Sequence, residues 1–421
     1  MADTTISSFD PALKQIYRDS NIENLTYRHR PLFGLLNKFT GFGGRNMPIV
    51  LVYGNPMGRA ASIYRAQQGA TAVAIEDFVL TRVSDYSVAY ITSEAIEATR
   101  GDNMSFLQSL KTKIDGAMSA LSDSIESALF RDGYGYIGQL HATTAPTVAN
   151  PMVLTLAQPE ESPNFEVGQI LRAFTGADGS TGNHGTPASA TVVKINRVTG
   201  TITTAYDNSG GGTNWAAADY LYVYGDEAAK TAGLAAWLPA SIGASDSFYG
   251  VNRSYDSRLW GIVHDGSADT TEDACIDAQS KCGREGGKID TMLLHHAQFR
   301  KLIKELGAKK VYNQVMGSST KGGDARVGYR GVVIDGDEGA VNIMAANKCQ
   351  ANVAWGLTRD VWTLATLGEP VKFLSEDGNR ILRTAIGASD TDARYEVRIV
   401  YRGNLGCKAP VWNTRVTLAT P

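Results

Sequence analysis

Gly133, Gly135 and Gly138 stand at the spacing G-x-G-x-x-G. That pattern binds a dinucleotide when a strand leads in and a helix leads out, so that pyrophosphate meets the helix N-terminus. Here a helical pattern runs up to the glycines, and the irregular stretch His141-Ala-Thr-Thr-Ala-Pro146 follows. The spacing therefore reads as a turn that ends a helix. Cys275, Cys282, His295 and His296 could be drawn together as a zinc set. The two cysteines lie seven apart on a predicted helix, about 10 Å along its axis. Zn–S bonds of about 2.3 Å forbid one ion from taking both sulfurs, and the same distance forbids a disulfide between them. The adjacent histidines would point to opposite faces of a strand. Core thiols and ordinary histidines are expected.

No nucleophile elbow, Walker loop or His-Glu-x-x-His motif occurs. Asp335-Gly-Asp337-Glu-Gly339 lacks EF-hand spacing and reads as a hairpin turn. The pair Glu160-Glu161 has no partner visible in the sequence. The expectation is no catalytic residue, no cofactor-binding residue, no metal ligand and no cofactor: not an enzyme.

Composition sets the class. The 421 residues carry 40 Lys+Arg against 43 Asp+Glu, a net of −3, so a strongly basic nucleic-acid binder is excluded. Hydrophobic residues make up 43% and mean hydropathy is −0.17, which argues against a wholly disordered chain. No run of about 18 apolar residues occurs, so no transmembrane helix is expected. The opening residues Met1–Gln15 lack a basic region followed by an apolar run, so neither is a signal peptide. Four cysteines (Cys275, Cys282, Cys349, Cys407) are too few for a disulfide framework and read as reduced thiols of a cytosolic product.

The elements follow from the periodicity. Residues 1–30 show none and read as an extended arm that needs a partner surface. Leu32, Phe33, Leu35, Leu36, Phe39 and Phe42 suit one short amphipathic helix closed by Gly41, Gly43 and Gly44. Residues 47–53 read as a strand, and 78–95 as one or two more. Between them lies a long loop of small residues, so the whole reads as a protruding hairpin; such loops are usually functional or disordered. Leu107, Leu110, Ile114, Ala117, Met118, Leu121, Ile125, Ala128 and Leu129 recur at three and four residues and predict one helix over 103–131. Asp102 or Asn103 is its expected N-cap and Gly133 its stop. Lys111, Lys113, Asp115, Asp123, Glu126 and Arg131 are expected on its polar surface. A helix of this length with one apolar stripe suits a spine laid across a sheet.

From 147 to 228 the helical period vanishes. Short β-rich runs alternate with turns, including Gly210–Gly212, and predict a small barrel or sandwich. Three basic residues (Arg172, Lys194, Arg197) face eight acidic ones, a net of −5, which disfavours contact with DNA. Residues 229–369 read as mixed: a helix ended by glycine near 286, a buried strand at 291–296, a helix stopped by Gly307, and strands either side of the acidic turn. Residues 370–421 return to strands. The fold class is α+β.

This order of parts resembles the major capsid proteins of tailed double-stranded DNA phages, the Hong Kong-type capsid fold. The resemblance is carried by Phe78-Val-Leu-Thr-Arg82 through Tyr86, Ile91-Thr-Ser-Glu94, Phe106-Leu107 opening the helix and Leu129-Phe-Arg-Asp-Gly133 closing it. Gly368-Glu-Pro-Val-Lys-Phe-Leu374, Arg402-Gly-Asn-Leu-Gly406 and Pro410 add to it. Each motif is weakly specific; their order over most of the chain carries the weight. The resemblance implies an N-terminal arm (1–45), an extended loop (46–90), a peripheral domain with the spine helix (91–146 and 370–421) and an axial domain (229–369). The stretch 147–228 departs from it and looks like an inserted all-β domain.

The function so implied is a major capsid subunit that assembles with copies of itself, as pentamers and hexamers, into an icosahedral shell enclosing phage double-stranded DNA, held nonspecifically. Candidate inter-subunit contacts are Arg59, Tyr64, Arg65, Gln67, Gln68, Phe33 and Phe39. Other implied partners are a separate scaffolding protein and a portal, with room for a decoration protein, and no membrane. The expected location is the virion, after synthesis in the bacterial host cytoplasm. The Lys, Asn and Glu of the isopeptide crosslink found in one branch of the family are not placed in this sequence, and none is expected. Two other readings stay open: another virion part, a tail tube or decoration protein, against which the long helix argues, and a carbohydrate-active enzyme with a β-module, against which the missing catalytic constellation argues.

Overall fold

The computed structural model describes residues 30–92, 103–144, 151–182, 189–205, 215–306, 332–336, 339–375, 381–383 and 394–420. The arm over 1–29, the cap position Asp102, Gly210–Gly212, Gly307 and the turn residues 337–338 lie outside them, as do the side chains of Leu107, Leu110 and Lys111.

The long helix runs over Asn103–Phe130, 28 residues and about 42 Å at 1.5 Å per residue. Its stripe Ile114, Met118, Leu121, Ile125 and Leu129 is buried in one cluster with Val397, Ile399 and Tyr401 of a six-stranded sheet. Burial of each such aliphatic side chain stabilises the fold by roughly 1.5–3 kcal/mol. After Arg131 and Asp132 the chain reverses at Gly133, whose φ of +91° favours glycine. A Cβ there would meet the Ala232 backbone at 3.0 Å, so the turn also needs glycine for space.

The central strand of this first sheet is Arg394–Cys407, 14 residues. It pairs antiparallel with Val83–Thr92 from Arg394↔Thr92 to Gly403↔Val83, and with Trp362–Thr366 from Trp362↔Cys407 to Thr366↔Gly403. Asn37–Phe39 adds a parallel edge to Trp362–Thr366. The expected single helix over 32–42 is therefore divided. It forms a helix at Pro31–Leu35, leaves helical geometry at Leu36 (φ −70°, ψ 138°) and continues as strand. Hydrogen bonding along the sheet edge outweighs a helix too short to sustain itself.

The hairpin pairs Asn46–Gly54 with Ala74–Thr81, from Asn46↔Thr81 to Gly54↔Ala74. It closes at Thr81, because Val83–Thr92 enters the first sheet, so the extended loop is shorter than the expected 46–90. Its connection, read as plain loop, contains a helix at Ile63–Gln68. Ser62 starts that helix by accepting the Arg65 N–H at 3.4 Å.

A closed six-stranded barrel follows, formed by Tyr220–Val223, Tyr136–Thr144, Val153–Leu156, Thr201–Thr204, Ala190–Asn196 and Ile170–Phe174 in spatial order. Closure leaves no free strand edge. Leu140, Leu154, Leu156, Phe165, Leu171, Ile202 and Leu221 form its own core, separate from that of the main body. The expected boundary at 147 falls too late: the first barrel strand begins at Tyr136, and Gly138 and Gln139 interrupt the alternation that would have marked it.

The second six-stranded sheet has the order Ile262–Gly266, Thr414–Leu418, Val353–Leu357, Thr291–Leu294, Gly339–Ala345, Val332–Gly336. Helices Thr271–Arg284 and His296–Glu305 cover it with Ala274, Cys275, Ala278, Cys282 and Leu302. Thr270 caps the first: its Oγ1 accepts the Asp273 N–H at 3.2 Å and donates to the Asp273 carboxylate at 2.7 Å. The expected split at 369/370 is crossed twice. Thr414–Leu418 sits inside this second sheet, while Trp362–Thr366 belongs to the first. Among the described residues no helix is long and apolar enough to cross a membrane.

Candidate assembly surfaces

The hairpin has two unlike faces. Ile49, Leu51, Phe78 and Leu80 are buried, while Val50, Val52 and Ile75 are exposed. Period-two alternation produces this: one face meets the body and the other meets nothing among the described residues. Its root is fixed. Phe78 packs on Trp237 at 5.0 Å between ring centroids, and Trp237 Nε1 donates to the Leu405 carbonyl at 3.0 Å. The Val79 N–H donates to the Tyr249 carbonyl at 3.0 Å, and at the outer end of the ladder Arg258 donates to the Tyr53 carbonyl at 2.8 Å.

Among the described residues the tip, from Asn55 to Val73, lacks such anchors. Met57, Ile63 and Tyr64 stand open, Ile63 at 78% and Tyr64 at 67% of full exposure. Arg59, Arg65, Gln67 and Gln68 are exposed beside them, and the Gln68 side-chain amide donates to Tyr64 Oη at 2.7 Å. From Gly54 to Val73 the sequence holds two arginines and no acidic residue. The structure thus brings Arg59, Tyr64, Arg65, Gln67 and Gln68 together on one small projection. Phe39 is separate, 45% exposed on the edge strand. Phe33 is a correction: it is 2% exposed within the main core and unavailable to a partner. The short helix turns it inward, against the long helix.

A second relationship was hidden in the sequence. Glu126, expected on the polar surface, is buried and accepts the Leu32 N–H at 3.1 Å and the Phe33 N–H at 2.9 Å. It caps helix Pro31–Leu35 from outside, a role that helix's own preceding residue does not fill. Burial is the main cause that pushes the Glu126 carboxyl up to about 7; the two backbone donors and Arg30 oppose it. Arg30 ties the same segment down by an ion pair with Asp123 at 2.9 Å and a hydrogen bond to Ser119 Oγ at 3.1 Å. The available signal was Ser122 followed by Glu126, a small and a polar residue one turn apart beside the apolar stripe.

Arg131 is the other correction to the polar surface. It is buried, pairs with Glu161 at 2.9 Å, donates to the Ile137 carbonyl at 3.1 Å and lies 4.7 Å over the Tyr136 ring. Burial alone would lower its pKa; Glu161, Tyr136 and Asp132 together outweigh that and hold it above the usual value. Lys230 bridges Asp85 at 2.8 Å and Asp226 at 2.9 Å, and Lys348 donates to the Pro163 carbonyl at 3.1 Å. These contacts fasten the barrel to the body around a cleft of about 520 Å³ lined by Asp85, Ser124, Arg131, Tyr224 and Lys348.

The residues weighed for chemistry have structural occupations. Gly133 and Gly135 both take positive φ in a turn that leads into a strand, which is the wrong context for pyrophosphate. Cys282 donates to the Trp412 carbonyl at 3.2 Å, and burial pushes the Cys275 thiol up to about 12. His295 is the N-cap of helix His296–Glu305, its Nδ1 accepting the Ala297 N–H at 3.2 Å.

Residues 210–388 match the family described as SU10 major capsid protein. Over that stretch, less than half of the chain, the sequence resembles phage major capsid proteins. The fold agrees. The structure of the cyanophage A-1(L) capsid asymmetric unit superposes with a TM-score of 0.53 at 11% identity, over 93% of this chain and 93% of the other. Structures from Mycobacterium phage Ogopogo (TM-score 0.42, 9% identity, 93% and 92% covered) and the Myoviridae phage XM1 capsid (0.42, 9%, 92% and 90%) are more distant. No curated protein matches the sequence. The mixed α and β architecture is thus the Hong Kong-type capsid fold, and the matched family is one of capsid shell subunits, structural proteins of the virion. The fold places exposed apolar and basic residues at the hairpin tip.

Proposed function

We propose that this capsid protein builds an icosahedral shell around phage double-stranded DNA through contacts that its hairpin makes with neighbouring copies. One observation carries this reading: the hairpin is locked at its root by Phe78 and Trp237 and bears an apolar, basic tip that stands exposed among the described residues. An exposed two-stranded edge of this kind invites aggregation unless a partner covers it. Unlike surfaces meeting head to tail close rings and shells.

In this reading the hairpin is the extended loop. The long helix and first sheet form the peripheral domain, the second sheet with its two helices the axial domain. The barrel is an insertion facing outward, away from DNA, as its net charge of −5 favours. Arg59, Tyr64, Arg65, Gln67, Gln68 and Phe39 are the inter-subunit candidates. A separate scaffolding protein and a portal act with it, a decoration protein has room on the outer face, and synthesis takes place in the bacterial host cytoplasm. Negative-stain microscopy of the expressed protein tests the reading. Closed shells are the expected result; tubes would mark a tail component, and dispersed monomers at every concentration would end the proposal.

A further inference from the structure

Strand Ile262–Gly266 carries His264, which is 5% exposed beneath helix Thr271–Arg284. Its Nδ1 lies 2.7 Å from Lys281 Nζ. Its Nε2 is buried and has no hydrogen-bond partner among the described residues. This atom faces two carboxylates from different elements. Asp269 Oδ2, in the loop before the helix, lies at 4.0 Å, and Asp277 Oδ2, on the helix, at 3.9 Å. The three atoms all fall within 4.8 Å of one another.

The spacing has a chemical meaning. At 3.9–4.0 Å a nitrogen and a carboxylate oxygen are too far apart to hydrogen-bond. A point equidistant from three atoms so arranged lies no more than about 2.5 Å from each, and contraction by a few tenths of an ångström reaches the 2.0–2.2 Å of metal–nitrogen and metal–oxygen bonds. The carboxylates can supply that contraction, since the Asp269 and Asp277 side chains are 42% and 60% exposed. The same exposure admits water to complete the coordination.

We propose that His264, Asp269 and Asp277 bind one transition-metal dication of the Zn²⁺ or Mn²⁺ class. An imidazole among the ligands selects these ions over Mg²⁺ and Ca²⁺, which favour oxygen donors alone. Lys281 is the competitor. Its ammonium donates to Nδ1, so without metal the ring carries its proton on Nε2. Metal at Nε2 requires that proton to leave and Nδ1 to take one up from solvent, a tautomer change with no net proton release. Lys281 then has no acceptor and must swing away. The lysine thus weakens the site, and an acceptor in its place strengthens it, as outer-shell partners do for metal-bound histidines. The bound ion would pin loop and helix to the strand.

Titration calorimetry on the chelator-treated full chain tests this, with ZnCl₂, MnCl₂ and MgCl₂ as probes. One Zn²⁺ per chain is expected, with Mg²⁺ silent. Asp269→Asn and Asp277→Asn, both at exposed positions, should each weaken Zn²⁺ by at least about 10-fold, and Lys281→Gln should tighten it by about 10-fold. The idea is overturned if neither the wild type nor Lys281→Gln binds Zn²⁺, or if the double Asp→Asn variant binds it as tightly as the wild type. None of these outcomes depends on shell formation.

Discussion

The Arg131 guanidinium meets the Glu161 carboxylate at 2.9 Å, with side chains only 3% and 13% exposed. One residue ends the long helix; the other sits on the short 3₁₀ turn Pro159–Asn164 of the barrel. This buried pair is an electrostatic pin between the two units, beside the Lys230 bridge to Asp85 and Asp226. Removing one partner leaves a charge buried alone, which costs about 3–5 kcal/mol. Arg131→Met should therefore destabilise the protein by that amount in urea unfolding, and the double variant with Glu161→Leu by distinctly less. Equal losses in single and double variants would contradict the pairing.

Glu126 predicts a pH dependence. Its carboxyl is raised from the ordinary value to about 7, chiefly by burial, so the folded protein holds a proton that the unfolded chain has released. This contribution is fully present below about pH 4.5 and is lost as pH rises through about 7, with a size of order 1–3 kcal/mol. Asp132 and Asp226, also raised mainly by burial, act in the same direction. The test is therefore the difference between wild type and Glu126→Gln. Wild type should gain stability relative to the variant between pH 8 and pH 5, and parallel curves would refute the assignment.

Leu121 lies at the centre of the long helix's buried stripe. Leu121→Asp places an unpaired charge in the main core, which costs several kcal/mol. The expected outcome is an insoluble or unfolded chain by circular dichroism. A soluble variant with unchanged melting would show that this face does not meet the sheet.

Deleting residues 56–73 removes the tip while keeping the Gly54↔Ala74 pair and every buried residue of the hairpin. The subunit should keep its melting temperature to within a few degrees, since surface changes away from the core are nearly neutral. It should form no stable shells by electron microscopy. Heat-stable particles of normal size from this variant would remove the tip from assembly.

The long helix, the hairpin and the β-rich insertion were legible because each rests on a local pattern. Ile114 to Leu129 repeats at three and four residues, and Ile49 to Tyr53 is an unbroken apolar run. Pairing between distant segments was not legible. Nothing local distinguishes Thr414–Leu418, which joins the second sheet, from Arg394–Cys407, which centres the first. Buried charges were misread for a related reason. Glu126 and Arg131 look like surface residues until their partners, the Leu32 and Phe33 amides and Glu161, arrive from 94, 93 and 30 positions away. Phe33 was assigned outward on the same account, because its burial depends on contacts remote along the chain.

The middle positions held by the strands around residues 400 and 416 bear on how the molecule is born. A ribosome delivers the chain from its N-terminus, so Val83–Thr92 and Ile262–Gly266 emerge long before the neighbours that complete them. Until then neither platform has its keystone, and the hairpin root lacks the Leu405 carbonyl to which Trp237 is tied. Neither sheet can therefore be completed before residues 394–418 have been made.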